Sequence, residues 1–405
     1  MDAQLYTETK TKHRFAQMNV GLEWESGMGG RSSFLSSTGE LSSLSNPTTN
    51  RPRIIIGGLH FWGHADFAIA FPLTNPLSKS GTFTTLNASG VETWFNYYPW
   101  AVKDKGLRPY IGFSILPFSY RQQDGPERAD GGPSILATRI PLKAGVTATF
   151  GSHLFTLGLT WNYANGIDYP LSESVNGRVS LQKLLLNFSY RHFFDTTISA
   201  EDSWESGQTE SVTEQLGDQG KLNGFYLGAG MSSAWWLGQS AYNESFRPFL
   251  PAYNTSIMPD LTIGHYWHKS DMQVGLSYRS YRGAHRAFGV FQQSQRRSIG
   301  LEWTKNLFDY KGFVPFIGPV VSWEDLSFIE TEEGGPGNFA ADSKLAYGLT
   351  FGWDIRPNSL QSWYLRTNLR YFPNLRLDTD QGPTIKFDNI EFNFIQLIIF
   401  PGRIF

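Results

Sequence analysis

The chain of 405 residues contains no cysteine, which excludes disulfide bonds, thiol catalysis and cysteine-ligated metals. It also lacks any run of about 18–20 apolar residues, the length that a transmembrane helix needs. Charged residues make up only 17% of the chain and nearly balance, at a formal net charge of −2. A basic nucleic-acid-binding surface is therefore not expected to be the main function, and no nucleic acid is expected as a partner.

Motifs of familiar enzymes are missing as well: there is no Gly-x-Ser-x-Gly elbow, no phosphate-binding loop and no His-Glu-x-x-His. Histidine and aspartate cluster at two predicted tight turns, with His60, His64 and Asp66 at the first and His265, His268 and Asp271 at the second. Such spacing could bind a metal or provide a catalytic His/Asp pair. In a strand, however, His265 and His268 point to opposite faces. We interpret these histidines as interfacial and expect no metal, no cofactor and no catalytic residue.

Aromatic residues are abundant, at 15% of the chain, and apolar residues alternate with small or polar ones. The alternation is clear at 155–162, where the two sets are Phe155, Leu157, Leu159 and Trp161, and Thr156, Gly158, Thr160 and Asn162. Successive side chains of a strand point to opposite faces, so this pattern predicts a strand with one apolar and one wet face. The same pattern recurs along the chain and predicts an all-β fold.

The predicted strands number about 16, with 14–18 possible, and short turns alternate with long polar loops between them. The predicted loops are 26–52, 74–90, 122–134, 237–255, 282–297 and 330–342. The segment 195–220 lies at a short-turn position, yet it has 26 residues with seven acids and no base. It is either a large acidic insert or one more hairpin, which would raise the number of strands to 18.

The last predicted strand, in 384–400, places Ile390, Phe392 and Phe394 on one face and Glu391 and Asn393 on the other. With the aromatic C-terminal residue at position 405, it resembles the closing strand of Gram-negative outer-membrane β-barrels of the porin-like class. The resemblance implies a single transmembrane, antiparallel, up-and-down β-barrel over 13–405, after a periplasmic tail at 1–12. It places the chain in the bacterial outer membrane, its signal peptide removed or outside this sequence. Outer-membrane lipid and lipopolysaccharide would be its partners.

A soluble β-sandwich also alternates, but its core needs apolar residues from both sheets. Here the face opposite the apolar one carries glycine, threonine, asparagine and charge, which need water. Tryptophans lie near the ends of predicted strands, as in the interfacial girdles of membrane barrels. Since open sheet edges are not tolerated in lipid, the sheet is expected to close.

Charged residues on the wet faces are candidates for the barrel lumen. They are Glu23, Asp66, Glu92, Lys143, Lys183, Arg279, Glu302, Asp354, Arg366, Arg370 and Glu391. Glu391 is expected to lie on the strand that pairs with the strand of Arg366 and Arg370. These residues could form a lattice of salt bridges that stiffens the wall, or a charged constriction that selects solutes.

Three functions follow from this interpretation. The preferred one is a pore for small hydrophilic solutes, because barrels of about 16–18 strands usually leave an aqueous channel. The alternative is a subunit or anchor of a larger outer-membrane complex with a blocked lumen. In that case 26–52 and 195–220 are candidate surfaces for outer-membrane or periplasmic proteins. The third is a barrel hydrolase, whose catalytic residues need not be neighbours in sequence.

Two short motifs recur. Gly-Leu-Glu-Trp occurs at 21–24 and 300–303, and Lys-Gly-Leu-Arg-Pro-Tyr-Ile-Gly at 105–112 is matched by Lys-Gly-Phe-Val-Pro-Phe-Ile-Gly at 311–318. They indicate either convergence of generic lipid-facing strands, which we prefer, or a duplicated half-barrel.

Overall fold

The structure is a computed structural model. It describes residues 16–403 apart from 36–37, 47, 75–76, 81–82, 125–131, 195–206, 237–239, 253–257, 311, 334, 336, 357–359, 361, 381 and 388. The predicted tail 1–12 and the first part of the acidic segment 195–220 lie outside the described residues.

The first half of the described chain is built of strands and one 3₁₀ turn, Phe61–Gly63. The strands are β1 (Ala16–Gly27), β2 (Arg31–Leu35), β3 (Leu41–Ser45), β4 (Thr49–His60), β5 (Ala65–Pro72), β6 (Leu77–Ser80), β7 (Phe83–Ser89), β8 (Glu92–Tyr97), β9 (Lys105–Asp124), β10 (Ile135–Arg139), β11 (Leu142–Phe150), β12 (His153–Trp161), β13 (Gly166–Pro170), β14 (Asn176–Ser180) and β15 (Leu184–Phe194).

Eight of these strands form a ring. In chain order, β1, β4, β5, β8, β9, β11, β12 and β15 each pair antiparallel with the next, and β15 pairs with β1. At this closure Leu22 lies opposite Tyr190. The first barrel is therefore complete at residue 194.

The other strands of the first half lie where the long loops were predicted. A small sheet in the order β13-β14-β2-β3 stands apart from the ring, and β7 and β10 pair with the distal part of β9. The small sheet packs on β9 through buried side chains, and the Tyr120 hydroxyl donates to Ser32 Oγ at 2.7 Å. It thus lies over the long-loop end of the first barrel.

The second half contains a second ring. Its elements are α1 (Gly207–Asp218), β16 (Gly224–Trp236), α2 (Ala241–Phe246), β17 (Met258–Trp267), β18 (Met272–Ala287), β19 (Val290–Asn306), β20 (Phe313–Glu332), β21 (Asn338–Ile355), β22 (Trp363–Phe372), β23 (Arg376–Leu377), β24 (Ile385–Lys386), β25 (Asn389–Ile399) and the 3₁₀ turn Pro401–Arg403. Strands β16–β22 and β25 close into a barrel. Within the described residues, no helix is long and apolar enough to cross a membrane.

The prediction of a single barrel of about 16 strands was therefore wrong. The described residues contain sixteen barrel strands, but they form two separate rings of eight. Alternation identifies a strand and its faces, whereas it does not say which strand the eighth one pairs with. Strand β15 returns to β1, and the last strand, β25, closes only the second ring, against β16. The segment 195–220 joins the barrels, and its described part contains α1 instead of a hairpin.

Several predicted loops are largely strand. The segment 282–297 is a continuous hairpin of β18 and β19, turning at Phe288 and Gly289, both with positive φ. In 330–342 only a short connection separates β20 from β21, while 26–52 and 74–90 hold short strands. In 237–255 the described part contains α2, and part of 122–134 lies outside the described residues. Hairpins that continue past the membrane keep their hydrogen bonds whatever the polarity of their side chains, so polarity alone misplaced the ends.

The barrels turn apolar side chains outward and polar side chains inward. Phe155, Leu157, Leu159 and Trp161 are between 39% and 54% exposed on the outer face of β12. The predicted apolar face of β25 also points outward, but it packs on the first barrel. There Phe392 and Phe394 form one buried cluster with Ile69 and Val91.

Candidate functional site

The interior of the first barrel is centred on Arg53, on β4. Its guanidinium forms ion pairs with Glu23 on β1 and Glu92 on β8, and a third with Glu25 at 3.0 Å. Glu92 also accepts from Lys143 Nζ on β11 at 3.3 Å. The lattice thus joins opposite sides of the ring.

A second ion pair fills the same interior nearer the short-turn end. Arg191 on β15 donates two hydrogen bonds to Asp66 on β5, at 2.7 and 2.9 Å. Asn96 on β8 donates to the same carboxylate at 3.3 Å. Since both partners are fully buried, each cancels charge that would be very costly alone in this low-dielectric space.

The interior of the second barrel holds a longer lattice, which includes Glu391 on β25. Its carboxylate lies 2.8 Å from Arg279 and 3.2 Å from Arg296. Arg296 on β19 also donates two hydrogen bonds to Glu324 on β20, at 2.7 and 2.8 Å. Three strands besides β25 are therefore tied across the lumen.

The lattice continues toward the short turns through two further arginines of β22. Arg370 donates to Glu302 at 2.9 Å and to Asp260 at 2.6 Å. Arg366 forms a two-bond pair with Asp354, at 2.8 and 3.0 Å. The paired strands place Arg370 directly opposite Glu391, which confirms that the strand carrying both arginines pairs with the last strand.

Most of the predicted lumen residues lie inside the two barrels, but in two groups that never meet. Glu23, Asp66, Glu92 and Lys143 are in the first, and Arg279, Glu302, Asp354, Arg366, Arg370 and Glu391 are in the second. The prediction for Lys183 was wrong. It is exposed and lies outside the barrel wall, because β15 begins only at the next residue, Leu184.

Other central residues were not singled out from the sequence: Arg53, Arg191, Asp260, Arg296 and Glu324. Four of them lie on predicted strands and share the wet face with residues that were named, so the alternation could have found them. Arg296 lies in the predicted loop 282–297. Only the knowledge that β19 extends into this segment would have placed Arg296 inside the barrel.

Apolar clusters close both ends of each interior. At the short-turn ends these are Leu59, Val102, Leu154 and Phe193 in the first barrel, and Tyr226, Tyr266, Tyr364, Ile398 and Phe400 in the second. At the long-loop ends they include Phe118, Tyr120, Tyr169 and Val179, and Tyr242, Leu326, Phe328, Phe372 and Ile385. Eight strands leave an interior just wide enough for side chains, and here side chains occupy it from end to end.

The polarity of the two rings decides the class of protein. Each is a closed antiparallel barrel with an apolar, aromatic outer face and a charged interior, which is stable only when the outer face meets lipid. The chain is an outer-membrane β-barrel protein. Its location is the bacterial outer membrane, where such closed barrels occur.

Several solved structures of outer-membrane proteins match this chain at low scores. Neisserial surface protein A is 13% identical over 44% of this outer-membrane barrel protein and 96% of its own chain, with a TM-score of 0.30. Ail of Yersinia pestis is 11% identical over the same shares, with a TM-score of 0.26. The CymD monoaromatic hydrocarbon channel is 8% identical over 98% of this chain and 91% of its own, with a TM-score of 0.21. Scores this low carry no argument about function.

No protein-family profile matches the sequence, and no curated protein matches it.

The histidine clusters do not form shared sites. His64 Nδ1 lies 2.9 Å from the Tyr98 carbonyl oxygen, while Asp66 is engaged by Arg191 inside the barrel. His265 points outward and packs between the rings of Phe225 and Trp267. Among the described residues, no group of three or more histidine, aspartate or glutamate side chains could hold a metal ion. The geometry of these two clusters gives the hydrolase hypothesis no support.

Proposed function

We propose that the protein is a closed double-barrel anchor that works as a subunit of a larger outer-membrane assembly, and not as a pore. The observation that carries this proposal is the filling of both interiors by ion pairs between sealed ends. A diffusion pore needs a continuous aqueous path. In the second barrel, the lattice of Arg279, Arg296 and Glu391 occupies the middle of the lumen and blocks such a path.

The strength of the seal supports the same proposal. Removing one member of a buried ion pair leaves an uncompensated charge, which costs about 3–5 kcal/mol. Opening either lumen would break several such pairs and also displace an apolar cluster at each end. Spontaneous opening is therefore expected to be rare under resting conditions.

Planar-bilayer recording of the purified protein tests this proposal. The wild type is expected to give no stepwise conductance, while a known porin in the same membranes gives steps. Glu391→Gln and Arg53→Met alter the two interiors and are measured in parallel. Wild-type steps whose size changes in either variant would show that solutes cross the lumen, and the anchor proposal would be abandoned.

The acidic segment 195–220 is the proposed contact with another protein. Its helix α1 lies at the short-turn end, and Asp218 of the helix forms an exposed ion pair with Lys269 at 3.2 Å. Glu214 is exposed on the same helix. An acidic surface of this kind favours a partner with a basic surface.

A photo-crosslinking residue at position 214 tests this contact in intact cells. We expect one discrete protein adduct there and none with the crosslinker at position 152, in the short turn of the first barrel. Equal adducts at both positions, or none at position 214, would remove this segment as the contact.

A further inference from the structure

The outer faces of the two barrels do not meet along their whole length. At the short-turn end the rings of Phe61 and Phe313 pack at 5.4 Å, and further along the strands Ile69 packs with Phe392 and Phe394. Between these contacts the barrels leave a cleft of ≈ 100 Å³, across which the ring centroids of Phe67 and Trp353 lie 6.4 Å apart. The cleft is thus a feature of the interface and is continuous with the lipid-facing surface.

The walls of the cleft are mostly apolar, apart from a few glutamine, threonine and histidine side chains. Ile56, Phe67 and Phe95 line it from the first barrel, and Trp353, Leu365 and Phe392 from the second. All six point outward from their own barrel, toward what would otherwise be membrane. Water entering this space would lose its hydrogen bonds, whereas an empty space would forfeit dispersion contacts on both walls. The hydrocarbon chains of membrane lipids are therefore the molecules best suited to occupy the cleft.

One polar side chain in the cleft, His60, indicates that a ligand there would also have a polar end. His60 is the last residue of β4, at the membrane edge on the short-turn side, and it is only 8% exposed. Within the described part of the chain its Nδ1 has no hydrogen-bond partner, although buried polar atoms are nearly always paired. A ligand whose polar end lies at the edge and whose apolar part extends inward satisfies both the histidine and the walls.

We propose that the cleft binds the first few carbons of one acyl chain of a membrane phospholipid, with the ester or phosphate oxygens of that lipid accepting a hydrogen bond from His60. The position of His60 selects the leaflet on the short-turn side. Lipopolysaccharide, whose acyl chains enter from the opposite leaflet, would meet the closed end formed by Ile69 and Phe394. The lipid then acts as part of the interface and holds the two barrels in one arrangement.

Native mass spectrometry of the full chain, extracted in mild detergent, tests the proposal. The wild type is expected to retain one phospholipid per chain. In Thr93→Phe the new ring fills the cleft, because Thr93 lines it, and the bound lipid is expected to be lost. Leu157→Phe adds the same ring to the exposed outer face of β12, away from the cleft, and is expected to retain it.

His60→Ala distinguishes a specifically bound lipid from lipid that coats the outer surface nonspecifically. Loss of one hydrogen bond is expected to weaken retention roughly fivefold, while His265→Ala, on the outer face of the second barrel, leaves it unchanged. Equal retention by wild type, Thr93→Phe and His60→Ala would overturn the proposal. Recovery of 3-hydroxy fatty acids instead of phospholipid would overturn it too, since these mark lipopolysaccharide.

A second measurement needs no variant. A phospholipid with a diazirine on its acyl chain is expected to label peptides from both walls, around Phe95 and Trp353, above the labelling of 153–161. Uniform labelling of all outward faces would contradict a specific site. Neither result depends on whether the lumens conduct, so the anchor proposal stands or falls separately.

Discussion

The two barrels share their membrane section but close their long-loop ends differently. In the first, the separate sheet β13-β14-β2-β3 covers the opening. In the second, the wall itself continues, since β18 to β21 are 16 to 20 residues long, and α2 with β23 and β24 fills the space inside. About 9–11 residues cross a bilayer, so the remainder of these strands stands outside it. The same interior can therefore be sealed by an added layer or by a longer wall.

The shared part includes a repeated detail of packing. The motif at 105–112 begins β9 and its counterpart at 311–318 leads into β20, and each is the fifth strand of its ring. Gly145 lies opposite Tyr110 and Gly352 opposite Phe316, on the sixth strands. This equivalence favours duplication over convergence for this motif. Gly-Leu-Glu-Trp, in contrast, lies on the first strand of one ring and the fourth of the other.

The largest expected effect comes from removing a central arginine in either barrel. Arg53→Met removes one ion-pair partner from each of three carboxylates, and Arg296→Met removes one each from Glu324 and Glu391. Loss of one partner of a buried ion pair costs about 3–5 kcal/mol. Urea titration followed by hydrogen exchange of each barrel is the measurement. If the barrels are independent, only the altered one loses stability, whereas an equal loss in both would show one cooperative unit. Arg297→Met, on the outer face of β19, is the control.

A cavity-forming substitution at the long-loop end should affect different strands in the two barrels, because the two ends are sealed differently. Phe328→Ala in the second barrel and Leu181→Ala under the small sheet each remove a buried side chain, at about 2–5 kcal/mol. Phe328→Ala is expected to speed hydrogen exchange in the barrel strands themselves. Leu181→Ala is expected to speed it in β13 and β14 only. Loss of protection throughout the first barrel would contradict the description of the sheet as an added layer.

The repeated glycines predict a smaller and equal pair of effects. A Cβ on Gly145 would lie 2.3 Å from the Leu157 carbonyl oxygen and 2.8 Å from the Tyr110 ring. On Gly352 it would lie 2.3 Å from the Thr367 oxygen and 2.6 Å from the Phe316 ring.

Gly145→Ala and Gly352→Ala are therefore each expected to destabilise their barrel by about 1–3 kcal/mol in urea titration. Gly106→Ala, where a Cβ meets open space, is the matched control and should be neutral. A large difference between the first two variants would weaken the argument for duplication.

The smallest effect concerns pH at the second barrel, where α1 packs on a short turn. Burial lowers the pKa of His268, Asp271 opposes this, and Arg403 and Arg356 reinforce it. The neutral form is thus favoured in the folded state. This stabilisation is complete above the unfolded pKa of about 6.5 and is lost as the pH falls through it toward the lower folded pKa.

The His268 ring lies against Gly217 of α1. Amides of α1 are expected to exchange faster, after correction for intrinsic rates, at about pH 5 than at about pH 7.5. His268→Gln should remove the difference. The corresponding turn of the first barrel, between β4 and β5, has no α-helix against it in the described part of the chain and should show none. A pH dependence that survives in His268→Gln would assign it to another group.

The sequence predicted the strands and their faces because these depend on neighbouring residues. Phe155 and Leu157 point outward as expected, and Glu391 lies inside, opposite Arg370. The number of rings depends instead on whether β15 pairs with β1 or with a ninth strand, which is a contact between residues about half a chain apart. Phe392 and Phe394 illustrate the limit: their outward direction was correct, yet the sequence did not distinguish lipid from a second barrel as their surroundings.

Closure of the first ring at residue 194 also shortens the path to the membrane. All pairs in either ring lie within one half of the chain, so neither closure has to wait for the other half. The entropic saving is small, since halving a loop lowers its closure cost by only about 0.6 kcal/mol. The advantage concerns the order of assembly: the first barrel can be complete in the bilayer before the second one closes. The second barrel then closes against it, since β25 both completes the second ring and packs on the first barrel.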